Sequence, residues 1–305
     1  MYLSVVIPVY NSERTIGPLV ERLQACLAER AFEIVLVNDG SVDGSERIGQ
    51  HLANQYDNVQ FISLRRNFGE FNAVLCGLNH TRGQYVVIID DDFQNPPESI
   101  LTLVSTAEAG GYDVVYSRYV EKQHHWFRNL GSWLVNMLTT YSIGKPRDLY
   151  LSSFKLIHRE VVEEIIKYRD PYPYIDGLIF RVTRYVGSVD VPHDARAEGR
   201  SSYTFRKLVG LFLNVFIGYS LWPIRVFTVL GITLFSLGLL VGLVLLIGWL
   251  TQQFVNPGWV LVLWGIGTGL GLQFLFLGIL GEYLGKLFMA YSGLPPYVEK
   301  ERKSE

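Results

Sequence analysis

Short apolar runs alternate with amphipathic segments through the first third of the chain. The runs are rich in Val, Ile and Leu and nearly continuous, which is typical of strands buried on both faces of a parallel sheet. Strands are predicted at Leu3–Val9, Glu33–Asn38, Val59–Leu64, Tyr85–Asp90 and Asp113–Ser117. Helices are predicted near Thr15–Glu29, Ser45–Gln55, Phe71–His80 and Pro97–Glu108. This order predicts an α/β fold with a mainly parallel sheet and helices on both faces.

The pattern is less regular after the fifth predicted strand. A helix near Trp126–Tyr141, a strand within Leu149–Ile157 and a helix near Arg159–Tyr168 are predicted. Residues 204–222 follow, and Thr204–Tyr219 carries its apolar side chains at helical spacing. Such an amphipathic helix can lie in a membrane interface or pack on the preceding domain. The long apolar run that follows it favours the interface.

Two long apolar runs, Ile224–Leu250 and Trp259–Leu280, are separated by a short uncharged polar turn. Each has the length of about 20 residues that crosses a bilayer, with a buried helix pair as the alternative. Lys and Arg flank the outer ends of the runs and are absent from the turn, so the positive-inside rule places both termini in the cytoplasm. We therefore expect a multi-pass protein of the inner (cytoplasmic) membrane. Its expected parts are a cytoplasmic domain (1–203), an interfacial amphipathic helix (204–222), a two-helix transmembrane hairpin (223–285) and a cytoplasmic tail (286–305).

Composition adds few constraints. The 305 residues carry a formal net charge of −2, so the overall charge gives no indication of nucleic acid as a partner. The two cysteines, Cys26 and Cys76, fall on predicted helices and are interpreted as core thiols, not as a disulfide or a metal site. Because a strand is predicted from Leu3, we expect no signal peptide.

Polar side chains cluster where three of the predicted strands end. Pro8, Tyr10 and Asn11 follow the first strand, residues 38–45 follow the second, and Asp90–Asp92 follow the fourth. Parallel strands bring these clusters to one edge of the sheet, where open α/β sheets bind ligands. Adjacent carboxylates repel one another unless a cation lies between them, and Mg²⁺ is commonly held by one or two carboxylates and substrate phosphates. The alternative is a solvated acidic turn, which the apolar strand before the acids and the Pro pair after them disfavour.

The cluster after the second strand allows two interpretations. Asp39 is placed to accept hydrogen bonds from a base or ribose, with a helix N-cap as the alternative. Ser41 and Asp43 are interpreted as helix N-caps.

Taken together, these segments resemble family 2 glycosyltransferases and, more narrowly, the polyprenyl-phosphate glycosyltransferases. The resemblance rests on Val6–Asn11, Asn38–Ser41, Arg66–Gly69, Asp90–Glu98, Trp126–Arg128, Arg196–Tyr203 and Leu280–Gly285. It runs through the whole chain, and the acidic segment ending in Gln-Asn-Pro-Pro-Glu is its most specific part. It implies a GT-A-type fold in which residues 1–203 form the catalytic domain.

The resemblance also implies roles for residues near the acids. Asp90 and Asp92 match the two acids of the family's D-x-D motif, and Asp90, Asp92 and Gln94 would hold Mg²⁺ or Mn²⁺ on the nucleotide diphosphate. The role of the Asp91 carboxylate stays open, because relatives usually carry a small residue there. The residues expected to contact substrates here are Pro8, Tyr10, Asn11, Asp39, Asn67, Asp90, Asp91 and Ser201.

The acceptor that the resemblance implies is a polyprenyl phosphate, which needs cations to dock it. Because guanidinium groups bind phosphate bidentately, Arg128 and Arg200 are predicted to act in catalysis, and Arg118 and Arg196 to bind the acceptor. Each alone is more typical of a surface arginine. The resemblance also suggests that Asp148 positions the acceptor, and a structural cap is the alternative.

The implied function is the inverting, metal-dependent transfer of one sugar from a nucleotide-sugar, by default a UDP-sugar, to polyprenyl phosphate at the cytoplasmic face of the membrane. One alternative is a processive membrane polysaccharide synthase, whose Q-x-x-R-W motif and additional spans this chain lacks. The other is a non-catalytic sugar-nucleotide- or lipid-binding membrane protein, which the intact acidic motif disfavours. Glycine pairs in the apolar runs leave a homo-oligomer open.

Overall fold

The structure is a computed structural model that describes residues 2–119, 145–146, 149–170, 173–192, 259–291, 293 and 295–300, together with isolated positions between 229 and 251. The chain divides into two compact units. The first comprises residues 1–205 and 292–305, and the second comprises residues 206–291.

The described strands of the first unit form one mixed sheet. They are β1 (Leu3–Val9), β2 (Phe32–Asn38), β3 (Val59–Ser63), β4 (Tyr85–Ile88), β5 (Val114–Tyr119), β6 (Lys155–His158) and β7 (Val186–Val191). Their order across the sheet is β3-β2-β1-β4-β6-β5-β7. Strand β6 runs antiparallel to β4 and β5, and every other pair is parallel. The prediction of a mainly parallel α/β sheet is therefore confirmed.

Helices cover both faces of this sheet. They are α1 (Ile16–Cys26), α2 (Ser45–Gln55), α3 (Glu70–Asn79), α4 (Ser99–Gly110), α5 (Arg159–Ile165) and α6 (Ile175–Val182). All seven residues of β1 and of β2 are buried, which explains why these strands are continuously apolar in sequence. Helix α3 lies so close to β1 that a Cβ added at Gly77 would be 2.4 Å from the Val6 Cγ1 atom.

The region beyond β5 differs from its prediction in detail. The strand predicted within Leu149–Ile157 is only the four residues of β6, and the helix predicted to reach Tyr168 ends at Ile165. Helix α6 and strand β7 were not predicted. Strand β7, at the sheet edge, has two buried, two partly buried and two exposed residues, which give a weaker sequence signal than the apolar runs of the central strands. The helix predicted near Trp126–Tyr141 lies outside the described residues.

Helix α7 (Trp259–Tyr291) has 33 residues, and the structure describes its backbone and part of its side chains. Within the described part of the chain, no helix combines the length and the apolar character needed to cross a membrane. The predicted interfacial helix at 204–222 and most of 223–258 lie outside the described residues, so the hairpin stays a prediction.

The segment after α7 pairs with the edge of the sheet. Glu299 forms an antiparallel bridge with Leu64, the Arg65 N–H donates to the Val298 carbonyl over 2.9 Å, and the Lys300 N–H donates to the Ser63 carbonyl over 2.7 Å. Residues 298–300 of the predicted tail thus extend the sheet beyond β3. They cover part of an edge that would otherwise expose unpaired backbone groups.

Candidate active site

The strand order places the predicted polar clusters together. Strands β2, β1 and β4 are neighbours, and the chain order reverses on either side of β1, so the carboxyl ends of β1 and β4 flank a topological switch point. Open α/β sheets bind ligands in the crevice at such a point. Pro8 is buried within β1, whereas Tyr10, just beyond this strand, is 48% exposed. Tyr10 and the acids after β4 therefore lie on opposite sides of one crevice.

The Asp91 carboxylate joins the two sides of this crevice. Its Oδ2 atom accepts hydrogen bonds from the Tyr10 backbone N–H over 3.3 Å and from the Ser12 hydroxyl. Burial raises the pKa of Asp91 to about 6, and the bond from Ser12 acts in the opposite direction. This carboxylate, whose role the sequence left open, is thus bonded to the turn between β1 and α1, and its predicted contact with substrate stays a prediction.

The other two acids have different partners. The Asp90 Oδ2 atom accepts a hydrogen bond of 2.5 Å from the Ser153 hydroxyl, and the Asp92 Oδ1 atom accepts one of 3.1 Å from the Gln94 backbone N–H. Phe93, between Asp92 and Gln94, has a φ of 62°, which turns the chain sharply after the acids. The side chains of Asp90, Asp92 and Gln94 offer oxygen atoms, which are the ligand type that a hard cation such as Mg²⁺ or Mn²⁺ prefers.

Asp39 anchors the loop before α3. This side chain is 3% exposed, and its two carboxylate oxygens accept the backbone N–H groups of Phe68 over 2.7 Å and Gly69 over 2.9 Å. Burial raises the pKa of Asp39, and these two amide bonds oppose that shift. Both amides belong to residues before α3, and neither α3 nor α2 has a side-chain cap bond, so Asp39 holds a loop and is not a helix N-cap. Its predicted contact with a base or ribose stays a prediction.

Gly40 allows this loop to approach β2. Its φ is 64°, and a Cβ at this position would lie 2.5 Å from the Arg66 carbonyl carbon and 2.5 Å from the Asn67 nitrogen. No side chain can be accommodated there without moving backbone. Asn67 itself is exposed beside this contact.

The loops after β1 and β2 are also bonded to each other. The Asn11 N–H donates to the Ser41 Oγ atom over 3.0 Å, and the Glu13 N–H donates to the Asp43 Oδ2 atom over 3.1 Å. Ser41 therefore orients Asn11, and its interpretation as a helix cap is wrong. The Asp43 Oδ1 atom accepts the Ser45 N–H over 3.0 Å, but the N-cap of α2 is Gly44, so the interpretation of Asp43 as the N-cap is wrong as well.

Arg118 has a partner within the protein. It lies opposite Asp190 in the pairing of β5 with β7, and its Nε and Nη2 atoms are 2.5 Å and 3.0 Å from the Asp190 carboxylate oxygens. This ion pair lowers the pKa of Asp190. The guanidinium group that was predicted to bind phosphate is thus engaged by a carboxylate.

A buried charged cluster near the acids escaped the sequence analysis. Lys155, on β6 opposite Ile88, forms an ion pair with Asp176 on α6, and the Tyr116 hydroxyl donates to the same carboxylate over 2.9 Å. Burial, together with the nearby Asp176 charge, raises the pKa of Tyr116. The sequence feature that could have indicated this cluster is Lys155, a lysine between apolar residues of a predicted strand. Nothing in the sequence distinguishes Ser12 and Ser153, which bond to the acids, from other serines.

Several predicted site residues lie outside the described residues. They are Arg128, Asp148, Arg196, Arg200 and Ser201. Their roles stay predictions.

Comparison of the sequence with known protein families identifies the class of enzymes to which this chain belongs. The sequence model described as Glycosyl transferase family 2 matches residues 4–166. The chain belongs to this family and is a glycosyltransferase.

Particular relatives are similar over almost the whole chain. The chain is 33% identical over 303 residues to an undecaprenyl-phosphate 4-deoxy-4-formamido-L-arabinose transferase of Proteus mirabilis, covering 97% of this chain and 92% of that protein. It is 33% identical over 304 residues to the enzyme of the same name from Shewanella sediminis, with 97% and 91% covered.

Solved structures show the same fold at low sequence identity. Glucosyl-3-phosphoglycerate synthase from Mycobacterium tuberculosis, in complex with Mn²⁺, UDP and phosphoglyceric acid, aligns with a TM-score of 0.55 at 20% identity. The alignment covers 71% of this chain and 76% of that one. The complex of that enzyme with Mg²⁺ and UDP aligns with a TM-score of 0.54 at 19% identity, covering 71% and 77%. The fold is therefore α/β and GT-A-like, as predicted.

Proposed function

We propose that this chain transfers one sugar from a nucleotide-sugar donor to a polyprenyl phosphate. The observation that carries the proposal is the position of the three acids at the switch point, where Asp91 ties them to the Tyr10 turn. Such a crevice suits a nucleotide with its diphosphate. The acceptor is supported by the relatives, whose names specify undecaprenyl phosphate and which match nearly the full chain. UDP is the nucleotide we propose, since it accompanies Mn²⁺ or Mg²⁺ in the synthase of similar fold.

The residues that would hold the metal are Asp90, Asp92 and the Gln94 side chain. We assign the metal to Asp90 and Asp92 because they match the two acids of the family's D-x-D motif, whereas the Asp91 carboxylate is bonded to the turn that carries Tyr10 and Ser12. A bound Mg²⁺ or Mn²⁺ would stabilise the negative charge that develops on the leaving nucleoside diphosphate.

The acceptor needs little activation. A phosphate monoester has a second pKa of about 6 and is mostly dianionic at neutral pH, so a phosphate oxygen can attack the anomeric carbon without a general base. The new bond joins this oxygen to the anomeric carbon, and the bond from that carbon to the diphosphate breaks with inversion. Arg128 and Arg200 are proposed to dock the acceptor phosphate, and Arg196, Ser201 and Asp148 to position it.

We place this reaction at the cytoplasmic face of the inner membrane. The support is the sequence alone: two apolar runs, with Arg225 at the start of the first as their one charge, are flanked by Lys and Arg and follow an amphipathic segment. A topology reporter after Asn256 is expected to be periplasmic, with cytoplasmic reporters at both termini. A cytoplasmic signal from the loop would rule out the hairpin.

The test of function is nucleoside diphosphate release by the purified full-length protein. Release should require both a divalent metal and polyprenyl phosphate, and Asp92→Asn should lose most of it because the diphosphate loses a charged metal ligand. The matched control is Glu98→Gln, which removes an exposed carboxylate paired with Arg22 in the same segment. Normal turnover in Asp92→Asn would refute the metal assignment. Release without the lipid, with growth of a polymer, would instead indicate a processive synthase.

A further inference from the structure

A second group of potential metal ligands lies where α3 meets the segment after α7. Cys76 lies in the last turn of α3, and His80, four residues later, is the C-cap residue that follows this helix. Glu299 comes from the segment that pairs with β3. Its Oε1 atom is 2.9 Å from the His80 Nε2 atom and 3.7 Å from the Cys76 Sγ atom. Among the residues that the structure describes, this is the group of three His, Cys, Asp or Glu side chains whose donor atoms all lie within 4.8 Å.

We propose that Cys76, His80 and Glu299 form a zinc-binding site, separate from the acids of the candidate active site. Thiolate, imidazole and carboxylate are the usual zinc ligands, with bond lengths of about 2.3, 2.0–2.1 and 2.0–2.2 Å. A tetrahedral ion with these bonds separates its donor atoms by about 3.4–3.6 Å. The 2.9 Å separation of His80 and Glu299 is about 0.5 Å below this range, and the 3.7 Å separation of Cys76 and Glu299 is about 0.1 Å above it. All three donor atoms lie within 4.8 Å of one another, so side-chain adjustments could bring them to these distances.

The surroundings of His80 suit a metal ligand. Its Nδ1 atom is 3.3 Å from the Gln60 Nε2 atom, and turning the Gln60 amide over would place its carbonyl oxygen there instead. When the Gln60 carbonyl oxygen accepts the Nδ1 proton, the Nε2 lone pair faces the metal, which is the arrangement typical of zinc-bound histidines.

The ligands are held in place by independent contacts. Cys76 is buried in α3, and the Tyr297 hydroxyl is hydrogen-bonded to its thiol. The backbone of Glu299 is fixed by its bridge to Leu64, and the neighbouring Lys300 Nζ atom donates to Glu46 over 2.7 Å. Glu299 is exposed, which gives an ion a route into the site. With three protein ligands, a fourth position remains for water.

The three ligand types also determine which metal ion this site would select. A thiolate favours zinc over Mg²⁺, which prefers oxygen ligands. Zinc here would fasten the segment after α7 to α3 and to the sheet edge. The sequence alone suggested only a core thiol at Cys76, because Glu299 is 223 residues away.

Zinc binding to the full-length protein, stripped with a chelator, tests the proposal. We expect one zinc per chain, a higher melting temperature with zinc, and a sulfur-to-cobalt charge-transfer band when Co²⁺ replaces it. Gln60→Ala should weaken zinc binding about 10- to 100-fold, as is typical for partners of metal-bound histidines. His80→Ala and Glu299→Gln should weaken it further. Cys26→Ser, a change to the other cysteine, should leave both the stoichiometry and the cobalt band unchanged.

Glu299→Gln is the decisive variant, because an exposed carboxylate can be replaced without disturbing the core. Loss of zinc by this variant, with an unchanged circular dichroism spectrum, supports the site even if Cys76→Ser fails to fold. No stoichiometric zinc in the unmodified protein would overturn the proposal and leave a His80–Glu299 ion pair only. Zinc that survives both His80→Ala and Glu299→Gln with equal affinity would overturn it too. Sugar transfer is measured separately, and neither result depends on it.

Discussion

Replacing Asp91 with Ala should weaken donor binding while the fold stays intact. The carboxylate accepts two hydrogen bonds from the turn after β1, from the Tyr10 N–H and the Ser12 hydroxyl. Without them the turn is free to move, and the donor must order it again on binding. Tyr10 is an exposed side chain of this turn and is predicted to contact the nucleoside, so the loss of affinity should fall on the donor and not on the acceptor.

The size of the effect follows from the two bonds. A hydrogen bond to a charged group contributes about 1.5–3 kcal/mol. The bond from Tyr10 is long at 3.3 Å, so we count only the bond from Ser12. At about 1.4 kcal/mol for each factor of ten, the donor KM should rise roughly 10- to 150-fold. Asp91→Asn keeps an acceptor oxygen and should show a smaller rise.

The assay is steady-state kinetics with varied donor at saturating polyprenyl phosphate. We expect a raised donor KM, a kcat changed by much less, and an unchanged acceptor KM. Glu98→Gln serves as the control, because its exposed pair with Arg22 should contribute no more than about 1 kcal/mol. An unchanged donor KM in Asp91→Ala would refute the reasoning. So would tighter donor binding, which would mean that repulsion between Asp91 and the diphosphate outweighs the ordering of the turn.

Three further changes have defined outcomes. Gly40 has a φ of 64° and lies against backbone, so Gly40→Ala should lower the free energy of unfolding, measured by chemical denaturation, by about 1–3 kcal/mol. Gly17→Ala, which has open space in α1, should be neutral or stabilising, and equal effects of the two changes would contradict the steric argument. Asp176→Ala should lower the free energy of unfolding by about 3–5 kcal/mol because it leaves the Lys155 charge buried and unpaired, and the double replacement Lys155→Met with Asp176→Leu should recover much of this loss. An Asp176→Ala variant as stable as the parent would contradict the presence of a buried ion pair. Burial raises the pKa of Cys26 to about 11, so iodoacetamide should label this thiol slowly at neutral pH until the protein unfolds, and rapid native labelling would disprove the shift.

The order of strands and helices and the edge of the sheet that carries the polar residues could be predicted from the sequence. Apolar periodicity is a local property, because burial on both faces of β1, β2 and β4 requires neighbouring residues of the same kind. Parallel strands then bring their carboxyl ends to one edge. The sequence therefore predicted correctly that the acids at 90–92 and Tyr10 lie at the same edge of the sheet.

The partners of those residues were decided only by the tertiary structure. Asp91 meets a turn 81 residues earlier, and Asp39 holds amides 29 and 30 residues later. Glu299 reaches His80 across 219 residues. No local pattern reports such contacts, because they depend on how strands are ordered and how closely loops approach. The hydrophobic pattern along the chain thus determines which elements form and which faces they bury, whereas the packing of distant loops determines which polar atoms meet.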